Sequence, residues 1–352
     1  MSTPVLDALQ APVVQAPMAG GPSTPALAAA VNRGGGLGFL AAGYLTAERL
    51  ADEIAATAAL TGDPFGVNLF AGAGAPADPA SVAAYAARLA GEARRAGVQL
   101  GEPRFDDDAF VEKVAVLRER PVAVVSFTFG LPPRATVDAL HEIGSEVWLT
   151  VTAPHEALDA VGRGADALIV QGVEAGGHRG AFADDDDGPR LTLLAALQLV
   201  GAAVSVPLIG AGAIATGAAL GAVLAAGAAA GQVGTAYLCS VEAGTSAAQR
   251  AATASDAPTV LTRAFSGRLA RGIDNRFHRE HAAHAPRAYP EVNHLTAPLR
   301  AHGRRVGDAD VINLWAGEAH SLASSLGAEE ITRRLARDAA AALEAAAHRC
   351  VE

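Results

Sequence analysis

Lysine is almost missing from this chain: Lys113 is the single lysine among 27 lysine and arginine residues. The imbalance reads as genomic composition bias rather than as an arginine-based function. Basic charge is short overall, with a formal net charge of −10. That excludes an electrostatic nucleic-acid binder, which needs a basic surface. Cysteine is scarce too. Cys239 and Cys350 make neither a CxxC pair nor a disulfide framework, and the expectation is reduced thiols in a cytoplasmic protein. The first residues, MSTPVLDALQAP, lack the basic start and long apolar core of a secretory signal. From Leu191 to Val241 there is no charged residue at all. That stretch is dominated by Ala and Gly, is interrupted by Pro207, and divides into strand, turn, helix and strand. It reads as a buried β-α-β unit of a soluble protein, not as a membrane span.

What the sequence does have is repetition. Strand-like runs recur at Val13–Pro17, Gly38–Ala41, Gly66–Phe70, Ala123–Phe127, Val147–Val151, Ala167–Gln171, Pro207–Gly210 and Gly231–Tyr237. Helical stretches fit at Thr24–Val31, Ala47–Ala59, Ser81–Ala96, Ala109–Arg118, Pro133–Ile143, Pro154–Val161, Leu191–Val204 and Thr216–Ala229. Such alternation implies a parallel sheet covered by helices. Eight repeats over about 240 residues fit an α/β fold, a closed (β/α)8 TIM barrel. Beyond Ser240 the pattern changes to isolated helices with scattered Pro and His and no strand repeat. The expected organisation is a barrel of residues 1–240, closed by an amphipathic terminal helix over 328–352, with a mostly helical domain of residues 241–327 covering its mouth. The uncharged helix Thr216–Ala229 needs a cover, either that second domain or a partner subunit, so monomer and homodimer both stay open.

Chemistry in such a barrel belongs at the C-terminal ends of the strands, with phosphate after the seventh and eighth. The seventh ends in Gly210-Ala211-Gly212 and the eighth in Gln232-Val233-Gly234-Thr235. Small residues there expose backbone N–H groups, and a following helix N-terminus favours an anion. The rival dinucleotide fingerprint, Gly210 to Ala215 as GxGxxA, needs an acid about 20 residues on, yet no Asp or Glu lies between Ala213 and Val241. A mononucleotide phosphate therefore fits better than a dinucleotide. The first strand ends in Met18-Ala19-Gly20, irregular backbone able to lie against a flat ring. Asn68 sits in GVNLF, either as a partner for a heteroaromatic ring or as a satisfied core amide. The run QGVEAGGHRG, Gln171 to Gly180, follows the sixth strand and sets Gly176 and Gly177 beside His178. A histidine on a tight turn at that place is a candidate proton carrier. His278, His281 and His284 are spaced by three, and Asp184–Asp187 form an acidic run. Neither comes with a supporting ligand pattern, so solvated faces are expected and no metal site.

Together APMAGG (Ala16–Gly21), GVNLF (Gly66–Phe70), VSFTFGLP (Val125–Pro132) and QGVEAGGHRG resemble the nitronate monooxygenase family, formerly 2-nitropropane dioxygenases, and within it class I. The resemblance spans the barrel and continues more weakly through Ser266-Gly267-Arg268 and Arg271-Gly272. One departure is Thr128, where many relatives carry histidine; substrate preference is the property at stake. The resemblance implies an FMN-containing barrel that oxidises alkyl nitronates with O2 to a carbonyl compound and nitrite. It places Met18, Ala19 and Gly20 beside the flavin ring, Asn68 and Gln171 in hydrogen bonds to it, and His178 over the substrate. Gly176, Gly177, Gly212 and Gln232, Val233, Gly234 and Thr235 would hold the ribityl phosphate. A flavin-dependent enoyl-acyl-carrier-protein reductase is the near alternative, and a flavin- or phosphate-binding barrel without turnover the more distant one.

Overall fold

The computed structural model describes residues 2–72, 74–185 and 188–351. Its strands are β1 (Val13–Gln15), β2 (Gly38–Ala41), β3 (Phe65–Phe70), β4 (Val124–Thr128), β5 (Glu146–Val151), β6 (Ala167–Gln171), β7 (Gly177–His178), β8 (Leu208–Ala211), β9 (Ala230–Val233), β10 (Thr259–Thr262) and β11 (Ala270–Ile273). Eight of them form one parallel sheet in the order β1-β9-β8-β6-β5-β4-β3-β2. The sheet closes between its ends, where Gln15 N donates to Leu37 O at 2.8 Å and Leu37 N to Val13 O at 2.9 Å. The Gln15 side chain extends this seam by clasping the backbone of Phe39, 2.9 Å from its carbonyl and 3.2 Å from its N–H. The fold is thus the expected (β/α)8 TIM barrel.

Side chains alternate along each strand. One face buries Val14, Phe39, Val124, Trp148, Ile169 and Ile209 inside the barrel. The other buries Val13, Leu40, Val125, Leu149, Leu168 and Leu208 against the helices. Those helices are α1 (Pro4–Asp7), α2 (Pro25–Arg33), α3 (Ala47–Leu60), α4 (Pro79–Ala96), α5 (Phe110–Glu119), α6 (Arg134–Glu142), α7 (Pro154–Arg163), α8 (Leu193–Ala203), α9 (Gly217–Ala225), α10 (Ala247–Thr253), α11 (Arg276–His281), α12 (Glu291–Val306) and α13 (Ala328–Val351). Thr24, Thr46 and Thr216 each cap a helix by accepting a backbone N–H with the side chain. Among the described residues no helix is long and apolar enough to cross a membrane.

The structure departs from the sequence reading in four places. The eighth barrel strand stops at Val233, because Thr235–Tyr237 turns into a 3₁₀ helix. Helix α4 does not lie on the barrel; its Val82, Tyr85 and Leu89 pack with Phe265, Val292 and Leu295 above the mouth. The region after Ser240 is not wholly helical, since β10 and β11 form an antiparallel hairpin that also pairs with β7. Finally, the uncharged helix α9 packs against α13 of the same chain, a cover that the sequence reading did not name. A Cβ on Gly217 would sit 2.4 Å from the Cβ of Asp338, so the two helices meet where only glycine fits.

Candidate active site

A cavity of about 990 Å³ opens at the C-terminal ends of the barrel strands. Strand parity decides which residues face it. In β6, Ala167 and Ile169 point inward, so Gln171 does as well. In β9, Ala230 points inward, and so does Gln232. Met18, Ala19, Gly20, Asn68, Gln171, Gly176, Gly177, His178, Gly212, Gln232, Gly234 and Thr235 all line this cavity. Val233 does not. Its side chain belongs to the core between strands and helices, as alternation requires of the residue after Gln232, and its carbonyl is taken by Ala16 N at 2.8 Å.

Of the amides that line the cavity, Asn68 and Gln232 present opposite groups. Asn68 Nδ2 donates to Ser126 O at 3.2 Å, Ser126 Oγ at 2.9 Å and Thr128 Oγ1 at 3.0 Å. A carbonyl only accepts, so the Asn68 nitrogen is turned toward Ser126 and its oxygen is left as the acceptor. Gln232 Nε2 is a buried donor with no partner among the described residues. Gln171 behaves differently from the expected ring partner. Its Oε1 accepts from Gly180 N at 2.8 Å and Arg179 Nη1 at 3.4 Å, and its Nε2 donates to His178 O at 3.1 Å. Its amide therefore holds the loop that carries His178.

Three strand-end loops meet at the other end of the cavity. Gly176 packs so closely on the chain at Ala316 and Gly317 that a Cβ there would lie 2.5 Å from backbone atoms. The N–H groups of Gly212 and Gly234 have no acceptor among the described residues. Thr235 Oγ1 accepts from Gly317 N at 3.0 Å and ties this end to the covering region.

His178 stands half-buried between three rings: Trp315 at 5.4 Å, Tyr289 at 5.7 Å and Phe129 at 5.8 Å between centroids. Its Nε2 lies 2.8 Å from Ser266 Oγ. Burial, reinforced by the charges of Arg268 and Arg300, pushes the imidazole down to about 3, so it is neutral near pH 7. The Arg268 guanidinium lies over Phe129, 4.2 Å from its centre. Arg300 lines the cavity and donates to Thr296 Oγ1 and to the oxygens of Asn293. Among the described residues it has no carboxylate partner. Burial and the neighbouring Arg304 push it down to about 10, which leaves it charged.

The other candidates from the sequence go elsewhere. The three spaced histidines do not converge: His281 is buried against Glu92 at 3.0 Å, while His284 is exposed. Asp184 pairs with Arg263 at 2.9 Å, and Asp186 and Asp187 lie outside the described residues. Lys113 is fully buried, with its Nζ 2.7 Å from Asp108, a residue of the cavity rim.

The sequence profile of the nitronate monooxygenase family matches residues 3–338. The chain belongs to this family. It is 39% identical to nitronate monooxygenase of Pseudomonas aeruginosa over 94% of its own length and 96% of the relative's. Among solved structures it is similar to nitroalkane oxidase from Streptomyces ansochromogenes, with a TM-score of 0.94 and 47% identity over 98% of this chain and 100% of that one. FabK from Thermotoga maritima is also similar, with a TM-score of 0.78 and 26% identity over 99% of each chain. Membership makes this chain an enzyme, a flavin-dependent oxidoreductase acting on small nitro compounds. Family motifs in the barrel led to His178, but they say nothing of Tyr289, Arg300 and Trp315, which come from the covering region. Rarity was the available signal: Trp315 is one of two tryptophans and Tyr289 one of four tyrosines.

Proposed function

We propose that the protein binds FMN in this cavity and oxidises alkyl nitronates with O2 to a carbonyl compound and nitrite. The observation that carries the reading is the pairing of a neutral His178 with the cavity-lining, uncompensated guanidinium of Arg300. That field attracts an anion, and a nitronate is one. The residues present also suit the cofactor. Asn68 Oδ1 and Gln232 Nε2 offer an acceptor and an orphaned donor to a heteroaromatic ring. The free N–H groups at Gly212 and Gly234, with Gly176, Gly177 and Thr235 beside them, suit a phosphate. Met18 to Gly20 would lie against the ring. The flavin supplies the redox chemistry when bound.

The chain's own residues have simpler tasks. Phe129, Tyr289 and Trp315 pack around the His178 ring and fix its place at the cavity wall. Arg300 orients the anionic end of the substrate. His178 is neutral and keeps one ring nitrogen free to take a proton from a neutral nitroalkane, its low proton affinity being raised by the nitronate anion that forms beside it. The test is nitrite release from propionate 3-nitronate and from 2-nitropropane under air, with and without NADPH. Nitrite without NADPH is the expected result. A colourless protein that FMN cannot reconstitute overturns the flavin assignment. Rapid NADPH oxidation with an enoyl thioester and no nitrite would instead make it a reductase.

A further inference from the structure

Ser266 touches one ring nitrogen of His178, Nε2. It is buried in the turn that leads into β11. Its Oγ lies 2.8 Å from His178 Nε2, 3.2 Å from the carbonyl oxygen of Arg268 and 3.4 Å from the N–H of Arg268. A hydroxyl has one proton to give and two lone pairs to accept with. The Arg268 carbonyl can only accept, and among the described residues Ser266 Oγ is its only donor. Arg268 is itself buried, and a buried carbonyl without a donor is costly. The Ser266 proton is therefore committed to Arg268. Both lone pairs remain to accept, one from the Arg268 N–H and one from the imidazole. That requires a proton on Nε2 and a bare Nδ1. Nδ1 has no protein partner among the described residues and, unlike the Nδ1 atoms of His278 and His281, is not sealed from the cavity.

Building on the functional reading above, we propose that Ser266 is a positioning residue that locks His178 as its Nε2–H tautomer and makes Nδ1 the proton-accepting atom toward a neutral nitroalkane. In that step the C–H bond beside the nitro group breaks and its proton bonds to Nδ1. The electron pair moves onto the nitro group, giving the nitronate. The imidazolium so formed keeps its Nε2–H on Ser266. A substrate supplied already as nitronate skips this step. Ser266 should therefore matter for nitroalkanes and little for nitronates.

The test is a two-bond ¹⁵N–¹H correlation spectrum of the full protein labelled with ¹⁵N-histidine at neutral pH, with His178→Asn used to assign the ring. The expected spectrum shows Nε2 protonated and Nδ1 bare. Ser266→Ala should mix the tautomers, and Ser266→Thr should restore the single form. With nitroethane, S266A should lower kcat about tenfold at nearly unchanged KM; with ethylnitronate the loss should stay under about twofold. An Nδ1–H tautomer in the unaltered protein overturns the proposal, as does an S266A spectrum identical to it. The ring signals need no turnover. A protein inert toward every nitro compound would thus sink the functional reading while the spectrum still decides the tautomer.

Discussion

Gln232 keeps a hydrogen-bond donor in the barrel mouth that none of the described residues meets. Burying such a group costs about 1–3 kcal/mol. A flavin that accepts from it would recover that cost. Gln232→Leu should therefore raise the stability of the cofactor-free protein by about 1 kcal/mol and weaken FMN about tenfold. Denaturant titration and FMN binding read the two opposite signs, and a loss of both would deny Gln232 this role. His178 makes a pH-dependent contribution. The unfolded residue takes up a proton near pH 6.5, the folded one only near about 3. As pH falls between these values the unfolded state binds more protons, so stability falls. His178→Asn should show a shallower loss of melting temperature between about pH 7 and pH 4. Sequence reasoning reached Asn68 and Gln232 near strand ends and His178 on the Gly turn that follows the sixth strand. The sequence reading also takes in Val233, because it treats the whole strand end as a cradle, whereas alternation turns that side chain into the core between strands and helices. The engagement of Gln171 was not legible, since it depends on Gly180 and Arg179 folding back onto the strand they follow.

Helix α4 shows where element-level reading fails. Its amphipathic pattern marks a helix, but the face it buries meets α12, whose sequence lies far downstream. Local pattern gives an element's existence more readily than its neighbour. The hairpin of β10 and β11 escaped for a related reason: TVLT and ARGI are short, one is interrupted by Arg271 and Gly272, and β7 reads as a turn until a partner pairs with it. Glu92 anchors α4 in place. Its carboxylate accepts from Arg276 at 2.7 and 3.0 Å and from His281 at 3.0 Å, with Arg95 alongside. Burial alone would raise the carboxyl, but the hydrogen bonds from Arg276 and His281 and the charges of Arg276 and Arg95 outweigh it and hold it at about 2. Its stabilising contribution is complete above the ordinary carboxylate value of 4.5 and is lost as pH falls toward about 2. Glu92→Ala should cost on the order of 3 kcal/mol, because it takes the buried carboxylate from His281 and leaves Arg276 with the exposed Glu280, 2.9 Å away. Urea unfolding near neutral pH measures this, and a change under about 0.5 kcal/mol would mean the cluster is only a surface arrangement.

At the scale of the whole molecule, the chain leaves the barrel after β9, builds the cover over the active site, and returns to supply the barrel's last helix. Residues at both ends of that excursion are tied together. Tyr237 OH bonds Thr332 Oγ1 at 2.7 Å, and Glu242 Oε2 accepts Ala328 N at 2.9 Å. Helix α13 thus fastens both ends of that excursion to the barrel. The alternation of strands and helices made the barrel legible, but an uncharged α9 fits several covers equally well in sequence, and only the returning chain chooses. Gly217 tests this arrangement with the least disturbance to the active site. Alanine there gains up to about 1 kcal/mol of helix propensity. It also forces a methyl group to within 2.4 Å of the Asp338 Cβ, and overpacking of that kind costs about 1–3 kcal/mol. The backbone of α13 borders Gly217 just as closely, at 2.6 Å from Ala339 N, so the neighbour cannot yield by a rotamer change alone. Gly217→Ala should therefore lower the melting temperature despite the better propensity, while FMN affinity per folded molecule stays unchanged. A variant more stable than the parent would show that α13 lies farther from α9 than this contact requires.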